Sequence, residues 1–264
     1  MTLLTLVVLL TFLSPLHALV KSHDFEHVVD PRSEAHLEES LNSIGRFSGP
    51  AGRHAVAFLL GNCHILTVRH VAFSDPNRPD ARERSTFQVG RRKGRSFWFF
   101  EDEVQALPTA WGGQNNLPVQ ESPDGWRFAA IDDWTVLELE PCLANGKYTP
   151  LAIVPQAEAL GAQVITLSHA GEPDPKQVLW DQGGQVQTTV NNQWFLDSAS
   201  EKGDSGGPVL HFEGQKYQVW AMMSYEDLSV DGTPFSGTVK ASENVFNHAV
   251  PIVKIYDQIK PYMF

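Results

Sequence analysis

Cysteine is scarce in this 264-residue chain: Cys63 and Cys142 are the only two. Two cysteines cannot staple a small, loop-rich scaffold, so a buried apolar core has to carry stability. Cations are also in short supply, with 20 Lys and Arg against 31 Asp and Glu and a formal net charge of -11. That balance excludes a general nucleic-acid binder, which needs cations to displace counterions from phosphate. No apolar run reaches the roughly 20 residues of a membrane span. The nearest approach is Leu3–Leu13, an unbroken stretch of Leu, Val, Thr and Phe followed by Pro15 and the small Ala18. This is the apolar middle and exit of a signal peptide, although its usual leading cation is missing and the first is Lys21. The alternative is an uncleaved anchor from Leu3 to Val20, which Pro15 and His17 interrupt. Residues 1–18 are therefore read as a signal peptide, and the protein as secreted or otherwise extracytoplasmic (periplasmic in a Gram-negative source), with no stable membrane association. Internal repeats and low-complexity tracts are missing too.

What is present begins with a polar leader, residues 19–43, rich in His, Asp and Glu between His23 and Leu41. Its spacing matches no metal-ligand motif, so it reads as a solvated leader or pro-segment and no metal is expected. From residue 44 to the end the texture becomes that of one folded domain, and an apolar fraction of 42% is enough for a core. Ala55–Leu60, Ile65–Val68, Ser96–Phe100, Trp134–Leu139, Gln163–Leu167, Pro208–Phe212 and Tyr217–Met222 are short runs of β-branched and aromatic residues bounded by Gly, Asn and Pro. Such runs read as strands. Only Asn244–Ile259 looks helical, with Pro251 breaking or starting the helix. The pattern is all-β, a barrel or sandwich rather than an α/β sheet. Eight Lys or Arg residues lie between Arg69 and Arg95, including Arg91, Arg92 and Lys93. They form either a docking patch or, as favoured here, an exposed hairpin turn around Gly90 and Gly94. Leu107–Gly125, rich in Pro, Gly and Asn, reads as a surface loop.

The chemistry is concentrated in Gly203-Asp-Ser-Gly-Gly-Pro208. An acyl-transfer nucleophile needs a serine on a tight turn, with backbone amides aimed at the carbonyl oxygen that becomes negative. Gly203 leaves its own amide free of a Cβ and, with the Ser205 amide, would form an oxyanion hole worth roughly 3 kcal/mol per donor. A base is available in His70, at the end of the Ile65–Val68 run, although a lone histidine there is more often a packed core residue. An acid is available in Asp132 or Asp133. By alternation Asp133 shares a face with Thr135, Leu137 and Leu139, whereas Asp132 shares one with Trp134, Val136 and Glu138. An orienting carboxylate should be shielded from water, so Asp133 is preferred.

The order His, Asp, Ser, together with Leu66-Thr-Val-Arg-His-Val71, resembles the chymotrypsin-like (trypsin-like) serine proteases, and among them the bacterial glutamyl endopeptidase branch. Ser43-Ile-Gly-Arg46, Val164–Gly171, Val178-Leu-Trp180, Ser236–Val239 and Asn244–Asn247 are similar to further pieces of that branch, the last two to its terminal strand and helix. The resemblance implies two six-stranded antiparallel β-barrels with a C-terminal helix, and an active site between them. It implies a catalytic triad of His70, Asp133 and Ser205, an oxyanion hole of Gly203 and Ser205, and hydrolysis of protein or peptide substrates through an acyl-enzyme. No cofactor is implied, and a monomer is expected. Cys63 and Cys142 would sit beside neighbouring first-barrel strands and form one disulfide.

Substrate-binding positions implied by the resemblance are Ala199, Ser200, Met223, Ser224 and Glu226. Ala199 stands where trypsin-like enzymes carry a selective Asp, and Met223 where the glutamyl branch carries a His, so neither preference transfers. Glu226 falls where relatives have a glycine lining the pocket, and it could pair with a basic substrate or obstruct the site. Glu201 and Lys202 lie close by. Asp204 resembles the aspartate that pairs with a freshly cut N-terminus, but no basic site followed by Ile-Val-Gly-Gly precedes the domain. Two competing readings remain. One is a protease-fold binding protein with an occluded or inactive site. The other is an α/β esterase, whose Gly-x-Ser-x-Gly elbow is matched but whose Ser–Asp–His order and following helix are not.

Overall fold

The computed structural model describes residues 42–50, 52–93, 97–100, 103–113, 129–144, 146, 148–168, 179–190, 192–196, 198, 203–214, 216–226 and 247–263. For 91–93, 97–100, 130, 168, 179–183, 190, 225 and 226 it describes the backbone alone. The expected signal peptide, the leader up to residue 41, Ala199, Ser200, Glu201, Lys202 and Ser236–Val239 lie outside the described residues. Among those described, no helix is long and apolar enough to cross a membrane.

Seven strands form the first half: β1 (Ile44–Ser48), β2 (His54–Leu59), β3 (His64–Thr67), β4 (Ser85–Lys93), β5 (Phe97–Phe100), β6 (Val104–Trp111) and β7 (Thr135–Glu140). Their order is β1-β2-β3-β7-β6-β4-β5, and β1 also pairs with β4, so six of them close into an antiparallel barrel. The apolar runs of the sequence become its filling: Ile44, Phe47, Phe58, Leu66, Phe87 and Leu137 are fully buried. On β7, Leu137 and Leu139 point inward while Glu138 and Glu140 stay exposed, the alternation that a half-buried strand requires. Cys63 and Cys142 are disulfide-bonded, closing a separation of 79 residues at the end of the barrel where β3 begins and β7 finishes.

The second half contains β8 (Ala152–Ile153), β9 (Gln163–Ser168), β10 (Leu179–Val190), β11 (Gln193–Leu196), β12 (Pro208–Glu213), β13 (Lys216–Glu226) and β14 (Asn247–Pro251). Here the order is β12-β9-β10-β11-β14-β13-β8, and the pairing of β12 with β13 closes a second ring of six. Val164, Val186, Trp194, Leu196, Val209 and Ala249 belong to its core. A larger apolar cluster joins the first barrel to Leu210, Val219, Met222 and Val250 of the second. Into it the C-terminal helix Ile252–Ile259 inserts Ile252, Ile255 and Ile259, one face of a helical turn pattern. The architecture is therefore all-β, two barrels and a terminal helix, as the sequence pattern and resemblance led one to expect.

Three local expectations need correction. The tail is not helical throughout: Asn247–Pro251 is a strand whose residues are all buried, and the helix starts only at Ile252, while 244–246 lie outside the described residues. Pairing with β11 and β13 completes the second ring, and this outweighs local helix preference. Pro251 is extended and has no N–H to donate, so it serves as the hinge between the two. Likewise Leu107–Trp111 is strand rather than loop, with Pro108 beside the irregularity between Pro108 and Ala110, where the ladder tolerates a missing donor. Gly90 is not at a turn but inside β4, opposite Phe100, while Gly94 lies outside the described residues.

Candidate active site

Because β3 and β7 are antiparallel neighbours with Thr67 opposite Thr135, the residues after β3 and before β7 emerge at the same barrel end. After β3 comes the short helical turn Arg69–Ala72; before β7 comes the 3-10 turn Ala130–Asp132. This arrangement brings His70 and Asp133 together across 63 positions of sequence. The His70 backbone N–H donates to Asp133 Oδ1 at 2.9 Å, and Nδ1 lies 2.8 Å from Oδ2. Asp133 has no solvent exposure, while the His70 side chain keeps 13%. A carboxylate acceptor makes Nδ1 the protonated ring nitrogen and Nε2 the basic one.

A third donor to Asp133 arrives from the other barrel. The Ser224 hydroxyl, on β13, donates to Oδ2 at 2.6 Å and is itself fully buried. The family resemblance implies only a substrate-binding position for Ser224. Contact with a carboxylate 91 positions away leaves no local signal in the sequence. Met223 is buried in the second-barrel core, and its backbone accepts from Gly206 N and donates to Gly207 O, both at 2.8 Å. Glu226 pairs through its backbone with Asn247.

The Ser205 loop is pressed against the first barrel. Val56 N–H, on β2, donates to the Ser205 carbonyl at 2.8 Å. Gly206 has φ +84, and a Cβ there would lie 2.1 Å from the Val56 carbonyl oxygen and 2.4 Å from Thr67 Oγ1. Only glycine permits both that backbone angle and that approach. Thr67 in turn donates to the same Val56 carbonyl at 2.6 Å, and the chain reaches His70 three residues later. Gly203, at φ +110, also needs a glycine backbone, although no described residue would crowd a Cβ there. Within the loop Asp204 is buried and Ser205 is half-buried.

The neighbouring acid, Asp132, is half-buried and accepts from the Gly113 backbone amide. Burial pushes its carboxyl above the usual carboxylate range, while the Gly113 amide and the Arg69 guanidinium pull it back in part. Arg69 is buried, which lowers its pKa against the opposing pull of Asp133, Asp132 and Asp75.

No family model matches the chain, and no curated protein matches it in sequence. Solved structures do. The chain is similar to neuropsin, a serine protease expressed in the limbic system of mouse brain. The TM-score is 0.58 and the identity 12%, covering 86% of this chain and 96% of that one. It is also similar to the Rv3671c protease in its inactive form, with a TM-score of 0.53 and 13% identity over 89% of this chain and 98% of that one. Likenesses at such identities establish a chymotrypsin-like fold, and they do not single out the glutamyl endopeptidase branch.

Proposed function

We propose that this chain is an exported serine endopeptidase, with residues 1–18 removed as a signal peptide and 19–43 serving as a leader or pro-segment. The observation that carries the reading is the fully buried Asp133 carboxylate. It grips His70 through both the backbone and Nδ1 and is braced by Ser224. A carboxylate is costly to bury, and three donors converging on it offset that cost. What the arrangement provides is a histidine of fixed tautomer, held at the end of β3, beside a serine loop that docks on β2 and β3.

In this reading Ser205 Oγ attacks the scissile carbonyl carbon of a peptide while His70 Nε2 takes the hydroxyl proton. The tetrahedral oxyanion is received by the Gly203 and Ser205 amides. His70 then returns the proton to the leaving amine, the C–N bond breaks, and an acyl-enzyme remains. Water repeats the sequence and releases the acid. Asp133 holds the imidazole and stabilises its charged form without taking its proton. The substrates are proteins or peptides, and the choice of side chain at the cleavage site falls to the surroundings of Ala199, Ser200, Met223 and Glu226.

Fluorophosphonate labelling of the purified, exported protein tests the proposal. Labelling is expected in wild type and absent in Ser205→Ala. Folded, mature wild type that does not label would sink the enzymatic reading in favour of a binding protein on the same fold.

A further inference from the structure

The turn carrying His70 is held by more than its bonds to Asp133. Arg69, the preceding residue, is 2% exposed, and no other Lys or Arg is buried to this degree among the described residues. Its Nε donates to the Pro76 carbonyl at 2.8 Å and its Nη1 to the Gly112 carbonyl at 2.6 Å. Gly112 belongs to the turn that wraps the acid segment. Its N–H donates to the Trp134 carbonyl at 3.0 Å, and a Cβ on it would lie 2.2 Å from the Asp132 carbonyl oxygen. The next amide, Gly113, donates to the Asp132 carboxylate. Arg69 thus grips, from the histidine side, the turn that holds both residues flanking Asp133.

A neutral donor could anchor two carbonyls without the desolvation cost of a buried guanidinium. Here Asp133, Asp132 and Asp75 draw on the positive charge and offset part of that cost. We propose that Arg69 is a positioning residue for the His70–Asp133 pair, and that Arg69 and Asp132 together set the charge against which His70 takes up a proton. The inference rests on the reading of His70 as the general base.

Among the described residues, the charged groups around His70 are few. Arg69 lies beside it in the chain, and Arg53 donates from Nη1 to the His70 carbonyl at 2.7 Å. Against these cations stand Asp75 on the same loop and Asp132 and Asp133 on the acid segment. Asp204 is a further buried carboxylate on the Ser205 loop. The Gly112–Gly113 turn and Ser224 bring amide and hydroxyl dipoles but no charge. Removing Arg69 leaves surplus negative charge, which favours the imidazolium; removing the charge of Asp132 does the reverse.

The test is an NMR pH titration of the His70 ring in the exported protein carrying Ser205→Ala, with the resonance assigned by its loss in His70→Asn. Arg69→Met is expected to raise the titration midpoint and Asp132→Asn to lower it. Each shift should be about half a pH unit to one unit, the size of a unit charge acting across several ångströms of partly screened protein. Arg69→Lys keeps the charge and loses the fork. It should hold the midpoint near the parent while, on a Ser205 background, kcat falls several-fold at unchanged KM. Midpoints that do not move overturn the proposal, and an unmoved Asp132→Asn does so even where Arg69→Met fails to fold. If wild type ignores fluorophosphonate while the two midpoints still move apart, the peptidase reading falls and the charge arrangement stands.

Discussion

Alanine at position 206 is the sharpest probe of how the two barrels cooperate. The new Cβ would sit 2.1 Å from the Val56 carbonyl oxygen and 2.4 Å from Thr67 Oγ1. Neither neighbour can retreat cheaply: Thr67 is already bonded to Val56 O, and Val56 N to Ser205 O. Relief has to come from the serine loop, which must move by about an ångström, and a displacement of that size costs on the order of 100-fold in rate. The φ of +84 adds strain for any residue with a side chain, about 1–2 kcal/mol. Gly206→Ala is therefore expected to fold, to melt roughly 2–8 °C lower, and to react with fluorophosphonate about 100-fold more slowly. Gly214→Ala is the matched control, since Gly214 has φ +58 and open space at the turn between β12 and β13. It should lose similar stability and label at the wild-type rate. A Gly206→Ala protein that labels within about threefold of wild type would refute the argument that docking on Val56 and Thr67 places Ser205.

Other consequences can be measured in the same way. Ser224→Ala removes one of three donors to a buried carboxylate, worth about 2 kcal/mol or roughly 4–8 °C in Tm; a labelling rate and Tm equal to wild type would deny Ser224 its part. Reducing the Cys63–Cys142 bond, or replacing both residues with Ser, frees a loop of 79 residues. Chain entropy puts the loss at about 4.5 kcal/mol, so denaturant midpoints that coincide with and without reductant would count against it. Asp132 titrates higher in the fold than its ordinary value because of burial. The folded state therefore holds the proton that the unfolded state releases, and stability falls as pH rises from about 4 towards the raised value. Asp132→Asn should flatten that stretch of the stability–pH curve, and an unchanged slope would contradict the assignment.

Much of this architecture was legible before any coordinates. Strand positions followed from short β-branched and aromatic runs between turn residues, because a half-buried strand has to alternate and has to end. The same period of two separated Asp133 from Asp132: the residue in phase with Leu137 and Leu139 is the buried one. The glycines of the serine loop marked a backbone that side chains cannot follow. Misreadings arose where pairing overrode local preference. Pro108 sits in a strand because β6 has an irregularity there, and Asn247–Pro251 is extended because the second barrel lacks a wall without it.

The sequence by itself determined the all-β class, most strand positions, the motif around Ser205 and the choice of His70 and Asp133 as its proposed partners. Each of these depends on neighbours within a few positions, which is the range over which periodicity and turn chemistry act. Only the tertiary structure decided what surrounds them. It put Arg69 against Gly112, Ser224 against Asp133, and Ser205 O against Val56 N. Those contacts join segments 43 to 149 positions apart and depend on which barrel face meets the other. Local periodicity carries no record of that choice; it is made when both barrels bury a common apolar surface.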